Sequence, residues 1–142
     1  YTTEMGDILF AEAERRGYSP DVAVCASEVP AGRPEPWMCL QNAFNLQVFP
    51  MEAIVKVGDT LPDIEEGLNA SMWTIGLAKT GNEIGLNADE IAALPEDELE
   101  ERLAGAYKRL YQTGAHYVVD GIWDVPPLLD DINARLAHGE RP

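Results

Sequence analysis

Cysteine is almost missing from these 142 residues: only Cys25 and Cys39 are present, with no Cys-x-x-Cys and no Cys/His cluster. That excludes a structural zinc site and a disulfide-stapled scaffold. Two buried free thiols suit a reducing cytosol, so a cytoplasmic protein is expected. Long hydrophobic runs are missing too. A membrane-spanning helix needs about 20 consecutive apolar residues, and the runs here reach only strand length, so no membrane partner is expected. Basic residues are few: 10 Lys and Arg against 25 Asp and Glu give a formal charge of −15. Such a chain repels nucleic acid unless its cations cluster, and Arg15-Arg16 and Lys108-Arg109 lie in amphipathic helical stretches instead. There is no Gly-x-Gly-x-x-Gly, no Gly-Lys-Ser/Thr phosphate loop and no legible Ser/His/Asp pattern. The chain opens on Tyr1, without an initiator Met or a basic-then-apolar leader. A processed or truncated start with no secretion signal is the expectation.

What the chain does have is an alternation of helical and strand patterns over a single domain, residues 1–142, with 46% hydrophobic content to supply a core. Met5, Ile8, Leu9 and Ala13 recur at helical spacing, which predicts a helix from Thr3 to about Gly17. Short apolar runs predict strands at Asp21–Ala26, Ala53–Val57, Met72–Leu77 and His116–Val119. Helices are expected at about 35–45, 61–69 and 95–112, and another beginning at Asp124 and closed by Gly139. Asn87 to Glu90 reads as a capping box, and 78–86 as a surface loop. Strands alternating with helices at this spacing make an α/β fold with a parallel sheet, whose ligands bind beyond the carboxyl ends of the strands.

The chemistry concentrates at Val55 to Gly67. An apolar strand runs into Gly58, then Asp59 and Asp63 follow four residues apart where a helix begins. Carboxylates in that position can hold Mg²⁺ against a phosphate. Equally, Asp59 can serve a turn and Asp63 the helix dipole. Arg33 lies in a proline- and glycine-rich loop at the same expected edge, where a guanidinium can neutralise a carboxylate or grip a phosphate. Lys56 is expected to snorkel past a covering helix, Lys79 to be solvated, His116 and His138 to be structural, and one of Glu65 and Glu66 to be exposed.

From Val55 to Gly76 the sequence resembles the haloacid dehalogenase-like phosphotransferases. Within them it is most similar to the phosphonoacetaldehyde hydrolase branch. Val29-Pro30-Ala31-Gly32-Arg33-Pro34 and Thr80-Gly81-Asn82-Glu83 point to that branch, while Gly58-Asp59-Thr60 marks only the superfamily. The likeness also covers Asp21–Ala26, Asp63–Leu68 and Gly114–Asp120, essentially the whole chain. It implies a Rossmann-like three-layer core, incomplete here because the first strands and the cap domain are lacking. By resemblance, Asp59 is a direct Mg²⁺ ligand. Arg33 steadies the nucleophile and the transferring phosphoryl group. Asp63 holds metal-bound water or orients its neighbours. Tyr1 lies two places after the superfamily's phosphate-binding hydroxyl, in a substrate-binding position.

The implied reaction takes a small phosphonate, phosphonoacetaldehyde, to acetaldehyde and phosphate through a cap lysine Schiff base and an aspartyl phosphate. Neither the lysine nor the nucleophile has a counterpart in this sequence, nor does the hydroxyl. These residues alone are therefore expected to be unstable and inactive, within a parent enzyme that is a homodimer. In the superfamily sheet the first strand is central, so residues 21–26 should lie across a gap from the other strands. A phosphatase or phosphomutase of the same superfamily is one alternative, and a non-catalytic domain with a relic cation site is another.

Overall fold

The computed structural model describes residues 1–142. Three parallel strands, β1 (Val55–Gly58), β2 (Trp73–Leu77) and β3 (Tyr117–Val119), form one sheet in the order β1-β2-β3. In register, Val55 pairs with Trp73 and Ile75 with Tyr117. Six α-helices surround the sheet: α1 (Thr3–Arg15), α2 (Trp37–Leu46), α3 (Leu61–Asn69), α4 (Ala88–Ala93), α5 (Glu96–Gln112) and α6 (Val125–Ala137). None is long and apolar enough to cross a membrane.

Period-two alternation in the strands builds the three layers. Trp73 and Ile75 point to one face and pack with Val125 and Ile132 of α6, with Val55 and Val57 alongside. The opposite face carries Ile64 of α3 with Ala106 and Leu110 of α5. Lys56 and Thr74 also lie on that face, because a Cβ on Gly67 of α3 would meet Thr74 Cγ2 at 2.6 Å and Lys56 Cβ at 2.8 Å. This glycine lets α3 lie directly on the two strands. A third, smaller cluster joins Cys39 of α2 to Ala70 and Met72.

Most expected elements stand within two residues of their predicted limits. The strand expected at Asp21–Ala26 does not form. The backbone at Cys25 is extended, but the segment joins no ladder, and Ala26 N–H instead donates to the Tyr1 carbonyl. An apolar β-branched run becomes a strand only beside a partner, and no neighbouring strand is available among these residues. β1 is accordingly one open edge of the sheet, and β3 is the other. A groove of about 440 Å³ is shared by Val24 with Val55, Lys56, Cys39 and Glu66.

Candidate active site

The edge beyond the carboxyl ends of the strands is assembled from three loops. β1 ends at Gly58, Asp59 follows, and Thr60 caps α3. A Cβ on Gly58 would lie 2.3 Å from Asp63 Cβ, so only glycine lets the first turn of α3 fold back against the strand end. Asp63 is thereby buried, with its side chain 7% exposed. Both of its oxygens are engaged. Oδ2 accepts from the Thr60 hydroxyl at 2.6 Å and the Thr60 N–H at 3.2 Å. Oδ1 accepts from Arg33 Nη1 at 2.7 Å and lies 3.4 Å from Lys56 Nζ.

Arg33 reaches Asp63 because its loop is fastened to the far end of the same helix, where Asn69 Nδ2 donates to the Pro34 carbonyl at 2.8 Å. Its Nε and Nη2 have no partner within the chain. The guanidinium lines a cavity of about 170 Å³ together with Tyr1, Lys56 and Asp63. Tyr1 itself is 70% exposed. Burial raises the pKa of the Asp63 carboxyl, but the hydrogen bonds from Thr60 and Arg33 and the Lys56 charge outweigh it and hold the group below the usual carboxylate range. The Asp63 hydrogen bond in turn makes the guanidinium still more basic.

Asp59 faces a different partner. Its Oδ2 accepts from the Asn82 N–H at 3.0 Å and from Asn82 Nδ2 at 2.8 Å, while Oδ1 accepts no hydrogen bond. The loop bearing Asn82 is held down at Glu83, whose carboxylate pairs with Arg109 of α5 at 2.6 Å. No three His, Cys, Asp or Glu side chains gather closely enough to hold a metal ion. The residues present therefore do not by themselves make a Mg²⁺ site; Asp59 Oδ1 is an open carboxylate oxygen, and Asp63 is committed to its hydrogen bonds.

Comparison with known proteins shows what these residues are similar to. No family model matches. A phosphonoacetaldehyde hydrolase-like protein of Syntrophobacter fumaroxidans is 56% identical over all 142 residues, which make up 51% of that relative. A phosphonoacetaldehyde hydrolase of Bacillus cytotoxicus is 46% identical over 132 residues, 93% of this chain and 50% of the relative. The crystal structure of a phosphonoacetaldehyde hydrolase-like protein from Oleispira antarctica superposes with a TM-score of 0.97 at 43% identity, covering 100% of this chain and 51% of that one.

Over its whole length the chain is similar to proteins named phosphonoacetaldehyde hydrolase. It spans about half the length of the relatives it matches. The likeness read from Gly58-Asp59-Thr60 and Val29 to Pro34 is therefore sound, and so is the α/β core assigned from it.

The structure brings Arg33, Asp63 and Tyr1 to one cavity and leaves Asp59, which follows the end of β1, bonded to Asn82 instead. Several partners were not legible in the sequence. Asn82, Thr60 and Lys56 each contact one of the aspartates. Glu66 is fully buried and bonds Lys56 Nζ at 2.6 Å, whereas Glu65 is exposed as expected of one of the two. Lys79, expected to be solvated, is half-buried and 4.0 Å from the Asp120 carboxylate, whose other oxygen accepts from Tyr107 OH at 2.8 Å. Chain order conceals that pairing, because β3 delivers Asp120 beside the end of β2 only in the folded sheet. Cys25 and Cys39 are free and buried, and burial pushes the Cys39 thiol up to about 11, which keeps it inert.

Proposed function

We propose that these residues form the Arg- and Asp-bearing part of a phosphonoacetaldehyde hydrolase, which cleaves phosphonoacetaldehyde with water to acetaldehyde and phosphate. The observation that carries the reading is the Arg33–Asp63 pair at 2.7 Å, set at a strand end with two guanidinium nitrogens still free beside Tyr1. A planar cation anchored through one nitrogen offers its remaining donors in a fixed direction, as a tetrahedral phosphonate dianion requires. Anchoring it in advance avoids the reorganisation that a mobile arginine would undergo as charge moves onto the transferring oxygens. Names carried by the relatives support the same substrate.

In this reading Asp59 Oδ1 supplies one ligand to Mg²⁺, and the remaining ligands come from other parts of the enzyme. Asp63 keeps Arg33 oriented. Tyr1 borders the substrate phosphonate. The Schiff-base lysine that activates the aldehyde carbon and the aspartate that accepts the phosphoryl group lie outside these residues, as the family likeness implies. The parent enzyme is cytoplasmic and homodimeric.

The test is made on the full-length protein. Phosphonoacetaldehyde should give equimolar acetaldehyde and phosphate, and borohydride should inactivate the enzyme only when substrate is present. Removal of Mg²⁺ with a chelator should abolish turnover, and its return should restore it. A full-length protein that releases no phosphate from phosphonoacetaldehyde, or that prefers a phosphate ester in kcat/KM, would overturn the proposal.

A further inference from the structure

Glu66 is the deepest charge in the domain, fully buried, and the reaction just described leaves it without a role. Its Oε2 holds Lys56 Nζ at 2.6 Å, and its Oε1 has no hydrogen-bond partner. A buried carboxylate with an unpaired oxygen is costly, and a lysine pairing with it on stability grounds alone is often no better than two apolar residues. Lys56 has a second acceptor in reach: Asp63 Oδ1, 3.4 Å away, the same oxygen that binds Arg33 Nη1 at 2.7 Å. Two cations therefore compete for one oxygen. The lysine is the more buried of the two, with its side chain 21% exposed against 40% for the arginine. The arginine, being closer to water, is the easier to displace.

We propose that Glu66 is a positioning residue that captures the Lys56 ammonium and so reserves Asp63 Oδ1 for Arg33, fixing the guanidinium toward the phosphonate. The placement of α3 makes this possible. Asp63 and Glu66 lie three residues apart on the helix face that Gly67 presses against β1, directly over Lys56. Without the Glu66 charge, Lys56 closes the remaining distance to Asp63 and Arg33 turns out of its place. The kinetic part of this inference rests on the phosphonoacetaldehyde hydrolase reading; the structural part does not.

The experiment uses the full-length protein as wild type, Glu66→Gln, and Lys56→Met/Glu66→Gln. Displacing a substrate-facing group by about 1 Å costs up to about a hundredfold in rate, so Glu66→Gln is expected to lower kcat on phosphonoacetaldehyde by about tenfold or more. This is measured well below its melting temperature, so that every molecule counted is folded. Removing the competing lysine as well is expected to recover at least about threefold of that loss, a non-additive cycle between groups in contact. In crystal structures, Glu66→Gln should show Lys56 Nζ on Asp63 Oδ1 and Arg33 displaced, and the double variant should show Arg33 back on Asp63.

A purely structural Glu66 predicts a lower melting temperature with unchanged kcat per folded molecule, and that result overturns the proposal. So does a double variant as slow as the single one. Should Glu66→Gln fail to fold, the crystal structure of the double variant decides: Arg33 on Asp63 Oδ1 supports the proposal, and Arg33 turned away overturns it. A wild-type protein inactive on phosphonoacetaldehyde refutes the proposed reaction, while the crystal structures still decide the role of Glu66.

Discussion

Gly58→Ala tests whether strand end and helix start act as one rigid piece. The new Cβ would lie 2.3 Å from Asp63 Cβ and 2.7 Å from Asp63 Cγ. Ordinary carbon contacts are about 3.5–4.0 Å, so α3 or the strand end must give way by about 1 Å. Neither atom sits at the end of a flexible side chain, so the adjustment falls on backbone. Overpacking of this kind costs about 1–3 kcal/mol. The Arg33–Asp63 bond, now 2.7 Å, stretches with it. An added 1 Å takes it past hydrogen-bond length and, by the cost of misplacing a catalytic group, lowers kcat by up to about a hundredfold. In the full-length protein a urea titration should show a lower midpoint with unchanged slope, and steady-state assays should show the loss mainly in kcat. Gly105→Ala is the control. It lies within α5, where the added Cβ meets only the tip of Arg109, at 3.2 Å, and alanine replaces a poor helix former. It should gain about 0.5–1 kcal/mol and leave kcat alone. A Gly58→Ala protein with wild-type midpoint and wild-type kcat would refute the claim that this contact sets Asp63.

Arg33→Lys keeps the charge but loses the planar fork, so it should bind Asp63 and yet lose about tenfold or more in kcat/KM, read with phosphonoacetaldehyde in the full-length protein. Under the proposed Mg²⁺ role of Asp59, Asp59→Asn should raise the Mg²⁺ concentration needed for half-maximal rate by about tenfold or more, since a neutral amide would replace the anionic oxygen. His116 accepts the Thr74 N–H at 3.0 Å through Nδ1, and burial and the Arg135 charge depress its pKa below 6.5. The unfolded chain then takes up the proton first. Stability is full above pH 6.5 and is lost as pH falls from there toward the lower folded value, by at most about 1.4 kcal/mol per pH unit. Melting temperatures of His116→Asn should not show that fall, and a wild-type profile flat from pH 7.5 to 5 would contradict it. Finally, residues 1–142 expressed alone leave the β1 edge unpaired, with Phe44 78% and Phe49 86% exposed, and should melt broadly in guanidinium. A sharp cooperative transition would refute this.

How much of this was written in the sequence depends on the range of the interactions involved. α3 was legible to the residue because its signals are local: Thr60 before it, Pro62 in its first turn, and an amphipathic run between. The strands at 55–58, 73–77 and 117–119 were legible because each is a short apolar run between turn residues. Residues 21–26 carry the same local signal and failed, because a ladder is a property of two segments and this one has no neighbour. Asp59, Asp63 and Arg33 could be named as candidates from residue type and position, and the Arg33–Asp63 pair spans 30 residues that only the folded loop brings together. The pairings of Asn82 with Asp59 and of Lys79 with Asp120 were hidden for the same reason.

The Lys56–Glu66 pair is what the sequence conceals. A lysine between two valines suggests a chain snorkelling to water, and two adjacent glutamates on a helix suggest that one is exposed, but neither signal names the partner of the other. The sequence does hold a warning in Gly67. A glycine inside a helix that follows a strand at once brings backbone against backbone, and whatever precedes it on that face is buried. Asp63 and Glu66 precede it on that face, and Lys56 lies beneath. Three charges enclosed by one close helix–strand contact cannot each be solvated, so their mutual bonding is forced by the glycine. The order of strengths, 2.6 Å to Glu66 against 3.4 Å to Asp63, then decides which oxygen is left for Arg33. The chemistry at the edge is thus set by a residue with no side chain, one turn further along the helix.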